Sequence, residues 1–156
     1  MRTILRKALV AFAITSVAAL AADNTLGTWK LNVAKSKYTP APLPIKSLTV
    51  VREASEGGVK QTTTGERADG TAVNASYTAK YDGKYVQVTG NSPYDTIAIK
   101  QVNANTLTDE RKKTGGPYKA TNRIVISNGG KTMTSTTKGI NADGKEFTQI
   151  LVLDKQ

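Results

Sequence analysis

Few residues in this sequence are equipped to do chemistry, and the missing types are as informative as those present. The chain contains no His and no Cys, which removes the commonest general base, the usual zinc ligand, the thiolate nucleophile and every disulfide. Serine–lysine chemistry would have to come from Ser36-Lys37 or Lys46-Ser47. Neighbouring residues on a strand point to opposite faces, so neither pair can cooperate. Asp69, Asp82 and Asp143 each precede a glycine, where an aspartate caps its own turn rather than serving a metal or a reaction. No catalytic set, metal site or cofactor is expected. What remains are polar tips on an apolar face. Tyr77 and Tyr81 share the strand parity of Val73, Ala75 and Ala79, so their hydroxyls point inward and need partners. With Arg52 and Arg67 they form the candidate ligand-binding set, suited to orienting a small amphipathic or carboxylate-bearing molecule.

The elements that must hold these residues are strands. Between Tyr77 and Gly90 apolar and polar residues alternate into Asp82-Gly83 and out again, which predicts a β-hairpin with a tight turn. Turn signals of the same kind recur at Glu56-Gly57-Gly58, Asp69-Gly70, Asn91-Ser92-Pro93, Asn103-Ala104-Asn105, Gly115-Gly116-Pro117, Asn128-Gly129-Gly130 and Ala142-Asp143-Gly144. That rhythm predicts about ten strands, near 25–32, 46–54, 59–67, 71–80, 84–90, 94–102, 106–113, 118–127, 131–139 and 145–153. No segment beyond the N-terminal region carries a sustained helical period. Pro40, Pro42 and Pro44 make Val33 to Lys46 an extended, polyproline-like strap across one end of the domain.

Arg2, Arg6 and Lys7 precede an apolar run that ends in Ala19-Leu20-Ala21, the pattern of a secretory signal cleaved after Ala21. The remaining residues, 22–156, suffice for one domain. Loss of the three leader cations lowers the formal charge from +10 to +7. The remaining cations are mostly scattered Lys, the pattern of a solvated surface that resists edge-to-edge strand pairing. A basic surface of this kind also suits an anionic envelope polymer. Nucleic acid is not expected, because the densest cluster, Arg111-Lys112-Lys113, is shorter than a nucleic-acid patch. Consecutive hairpins leave two open edges unless the sheet closes. The expected fold is therefore all-β, an up-and-down antiparallel β-barrel of about 8–10 strands, with a two-sheet sandwich as the alternative.

The Gly27-x-Trp29 pair on the first strand, ahead of this meander, resembles the calycin group of lipocalins and fatty-acid-binding proteins. More closely, Gly27-Thr-Trp-Lys-Leu-Asn32, Lys35-Ser36-Lys37, the stretch from Tyr77 to Lys84, Lys131-Thr-Met-Thr134 and Lys138-Gly139 are similar to a group of small secreted bacterial lipocalin-like proteins. The resemblance implies a structural plug in which Trp29, entered through Gly27, closes one end of the barrel under a late-strand arginine. Arg123 is the position offered for that arginine, with Arg111 the other late one. Two departures matter: the Pro-rich strap stands where fatty-acid-binding proteins carry two helices, and the lipocalin disulfide is absent.

The expected function is that of a non-enzymatic binder of a small apolar or amphipathic molecule, periplasmic or extracellular. An envelope interaction or inhibitor module is the alternative, and isomerase or cyclase chemistry is a third. Whether the barrel keeps a cavity or is filled by its Tyr rings is open at this level.

Overall fold

Two-residue links such as Glu56-Gly57 and Ala104-Asn105 leave strands no choice but to fold back beside their predecessors. The result is one antiparallel sheet. The structure, a computed structural model, describes residues 22–156; the secretory signal expected over 1–21 lies outside them. The strands are β1 (Gly27–Leu31), β2 (Lys37–Thr39), β3 (Ile45–Ser55), β4 (Gly58–Arg67), β5 (Ala72–Lys80), β6 (Val86–Gln87), β7 (Thr89–Asn91), β8 (Thr96–Asn103), β9 (Thr106–Lys112), β10 (Lys119–Ser127), β11 (Thr132–Ile140) and β12 (Glu146–Lys155).

The sheet runs β6-β8-β9-β10-β11-β12-β1-β3-β4-β5-β7. The last strand therefore meets the first, with Trp29 opposite Lys155 and Leu31 opposite Leu153. Between β1 and β2 one turn of 3-10 helix (Val33–Lys35) lifts the chain away. β2 then returns to the same edge of β12, with Tyr38 opposite Gln149. The proline strap is accordingly shorter than the sequence suggests, because its first part is the 3-10 turn and β2 and its end belongs to β3.

The predicted Asp82-Gly83 hairpin is not formed. Asp82 bridges across to Lys100 on β8, and the Gly83 amide donates to the Ile99 carbonyl at 2.9 Å. The chain thus crosses from the end of β5 at Lys80 over the gap between β5 and β8. There the segment 86–91 divides: β6 pairs with β8, and β7 pairs with β5. Gly90, at φ +94°, lets this ribbon press against Asn74; a Cβ there would lie 2.4 Å from the Asn74 carbonyl oxygen. Val88, at the switch of partners, is buried. An open gap becomes a nearly closed wall.

Alternation sets the interior. Leu48 and Val50 on β3, Val59 on β4, Tyr77 and Ala79 on β5, Ile97 and Ile99 on β8, Leu107 on β9, Ile124 and Ile126 on β10, Met133 on β11 and Leu151 and Leu153 on β12 form the main cluster with Trp29. A second cluster of Tyr118, Ala120 and Phe147, flanked by Tyr38 and Tyr94, occupies another part of the interior.

Candidate functional site

Two polar constellations sit among these inward-facing residues. The first surrounds Trp29, which is fully buried and donates from Nε1 to the Thr25 carbonyl at 2.8 Å. Thr25 is fully buried too, and its hydroxyl donates to Asp23 Oδ1 at 2.5 Å. Arg52 lies opposite Gly27 and Gln61 in the strand register. Its Nε donates to Thr25 Oγ1 at 3.1 Å and its Nη1 to Gln61 Oε1. Gln61 Oε1 also accepts from the Tyr77 hydroxyl at 2.9 Å, while the Tyr81 hydroxyl donates to Asp23 Oδ2. Burial opposes the Arg52 charge, yet Tyr77, Tyr81 and Asp23 raise its pKa above the ordinary value. Its Nη2 is buried without an acceptor among the described residues. The N-terminal segment seals this cluster in part: Asp23 takes the Tyr81 hydroxyl and Thr25 the Arg52 Nε, while Nη2 stays unpaired.

The second constellation begins on β9, where Leu107, Asp109 and Arg111 alternate onto the inner face. Arg111 donates from Nε and Nη2 to the two Asp109 oxygens at 2.7 and 3.2 Å, and the Asp109 side chain is only 3% exposed. Asn122, opposite Asp109 on β10, donates to Oδ2 at 2.8 Å. Its own Oδ1 accepts from Ser135 at 2.8 Å and from Thr137 at 3.0 Å. A hydrogen-bonded chain therefore crosses β9, β10 and β11. It holds the guanidinium still and leaves Nη1 without a protein acceptor among the described residues. The Arg111 guanidinium lies 5.1 Å from the Tyr94 ring centroid.

An interior chamber of about 90 Å³ opens beside it, walled by Arg111, Tyr94, Gln61, Thr63, Ser135 and Met133, with Leu48, Val50, Ile124, Leu151 and Leu153 completing it. Tyr94 also begins an aromatic ladder. It stacks on Tyr118 at 5.8 Å, Tyr118 meets Phe147 at 5.9 Å, and Phe147 stacks on Tyr38 at 5.7 Å. Polar head site and aromatic platform share one residue.

Among solved structures, the chain is similar to zebrafish ileal bile acid-binding protein complexed with cholic acid, with a TM-score of 0.51 over 86% of this chain and 100% of that one. The fold is calycin-like. At 12% identity the likeness carries the fold and not the ligand. No protein-family model matches the chain, and no curated protein matches it in sequence.

Within this barrel the expected residues separate. Tyr77, Tyr81 and Arg52 come together beside the N-terminal segment, and Gln61, which accepts from both Arg52 and Tyr77, joins this cluster to the chamber wall. Arg67 stands apart at a rim, where its guanidinium donates to the Ala72 and Asn91 carbonyls at 3.1 and 3.2 Å and ties β7 to the β4–β5 turn. Trp29 is fully buried in the main cluster, and Gly27, at φ +120°, leaves room for the Lys155 chain, whose Cε would lie 3.0 Å from an added Cβ. Arg123 does not cover Trp29. It is exposed on the outer face of β10, between inward-facing Asn122 and Ile124, and the cation over the indole is Lys155, at 5.1 Å. Asp109, Arg111, Tyr94, Tyr118, Phe147 and Tyr38 were not in the expected site. The Leu107-x-Asp109-x-Arg111 parity was the signal that could have found the first two.

Burial pushes the Tyr77 hydroxyl well up, and pushes Tyr81 and Tyr118 up to about 12, with Asp23 adding to the rise at Tyr81. Unfolded tyrosine ionises near ~10, so these groups contribute stability that is complete below that pH and is lost as pH rises towards about 12. Alkaline unfolding should therefore coincide with a steep, cooperative rise in tyrosinate absorbance. Smooth ionisation of all six tyrosines with the near-ultraviolet circular dichroism intact would contradict this.

Proposed function

We propose that this protein is a non-enzymatic binder of a small amphipathic molecule whose uncharged polar head enters the chamber at Arg111. The supporting observation is the free Nη1 of a guanidinium that is otherwise fixed by Asp109. Because that pair is internally neutral, a head that accepts hydrogen bonds is favoured over a carboxylate, which would be desolvated close to Asp109. Size restricts the ligand further. A chamber of about 90 Å³ is smaller than the ~150 Å³ cavity that takes up benzene, so the apolar body must lie elsewhere. Tyr94, the half-buried ring at the chamber wall, offers the aromatic surface for it. The Ser135 hydroxyl on the chamber wall is committed to Asn122, which supports a binding role for that residue over a nucleophilic one. The signal-like pattern of residues 1–21 supports an exported setting, periplasmic or extracellular.

Calorimetric titration with octanamide and octanoate tests the reading. Octanamide should bind about tenfold more tightly, and Ser135→Leu, which fills the chamber, should abolish binding of both. Equal binding by the Ser135→Leu protein would sink the proposal.

A further inference from the structure

On the outside of the wall, across β8 to β11, lies a separate furrow of about 590 Å³ bounded at one end by the loop at Gly83. Its outward residues fall into two cross-strand rows. Lys100, Thr108, Arg123 and Thr136 are in register, and beside them lie Glu110, Thr121 and Lys138. A second hollow of about 510 Å³ continues it past Lys138 towards Thr39, Pro40 and Glu146. Lys100, Arg123 and Lys138 form no ion pair among the described residues. The acidic group among them, Glu110, accepts from the Tyr85 hydroxyl at 2.6 Å. Protection of a sheet edge does not account for these cations, because β8 to β11 are each paired on both sides. Three positive charges set against the one outward carboxylate of Glu110, within a few strand spacings of ~4.8 Å, leave these rows net positive and attract a linear anion.

We infer that this furrow binds a linear acidic polysaccharide, with Lys100, Arg123 and Lys138 meeting its carboxylate or sulfate groups and Thr108, Thr121 and Thr136 meeting its hydroxyls. The chemistry of the floor favours this occupant over others of the same charge. A lipid surface needs apolar groups to enter it; Ala98 is the apolar side chain lining the furrow between the three cations, and Pro40, Ile140 and Phe147 line only the second hollow beyond Lys138. Single-stranded nucleic acid needs free aromatic faces. Phe147, which lines the second hollow, is buried, and Tyr85 is tied to Glu110 and lies under Lys112 Nζ, 4.2 Å from its centroid. The furrow is separate from the interior chamber and shares no residue with its wall.

The test is titration of the full chain with tetragalacturonate at about 20 mM salt, where exposed charges are little screened. The wild type should bind, with affinity falling as salt rises. The double variant Arg123→Gln/Lys138→Gln should lose about tenfold, while Lys35→Gln/Lys60→Gln, which removes equal charge elsewhere, should change affinity by less than about twofold. Octanamide binding should be unaltered in both, so failure of the furrow and failure of the chamber are read independently. Equal losses in the two double variants, absence of binding by the wild type, or equally tight binding of a thymidine oligonucleotide of the same charge would each overturn the inference.

Discussion

Arg111→Met should destabilise the protein by about 3–5 kcal/mol, because it strands the Asp109 carboxylate in the interior. Asp109 would keep Asn122 as its donor but lose the two bonds that disperse its charge. The loss should spread along the hydrogen-bonded chain, since Asn122 is itself positioned by Ser135 and Thr137. A second substitution separates charge from packing. Asp109→Asn retains an acceptor for Asn122 and removes the charge, so Arg111→Met/Asp109→Asn should recover most of the stability while still failing to bind octanamide. Urea denaturation of the two variants supplies the comparison. A loss below about 1 kcal/mol for Arg111→Met would mean that the pair is effectively solvated, and the chamber would then have no rigid anchor.

Trp29→Ala should cost a comparable amount, about 3–5 kcal/mol, for a different reason. The indole is fully buried in the main cluster, its Nε1 is bonded to the Thr25 carbonyl, and the Lys155 ammonium lies over its ring. Truncation removes all three at once. Released from the indole, Thr25 would lose its hold on Arg52 and Asp23, so the seal should loosen with the core. Trp29→Phe should be milder, since it keeps an aromatic body and loses chiefly the hydrogen bond. Hydrogen exchange at the amide of Thr25 should accelerate in Trp29→Ala well before global unfolding. Unchanged protection there would show that the N-terminal segment docks without the indole.

The strands were legible because their punctuation is local. Glycine and asparagine at each turn, and alternation between turns, place the elements within a few residues of where they lie, and closure follows from the lack of any other way to pair the edges. The faces were harder to read. On β10 the run Ile124-Val125-Ile126 is apolar on both sides, so parity did not reveal that Arg123 faces outward. Arg111 was obscured differently, by two following lysines that made it look like part of a surface cluster. The Asp82-Gly83 turn failed because a competing pairing with β8 closes the barrel gap, and that gain is invisible in the local sequence. The aromatic ladder joins residues up to 109 positions apart, Tyr38 to Phe147, and no local pattern links them.

The chain holds two methionines, Met1 and Met133, and Met133 is a nearly inaccessible wall of the chamber. Its carbon-13-labelled methyl resonance is thus a single reporter inside the proposed site. On titration with octanamide that resonance should shift saturably, with the same affinity as the calorimetric isotherm, and should not respond in Ser135→Leu. A Met133 signal that stays still while octanamide binds would place the ligand outside the barrel and contradict the account.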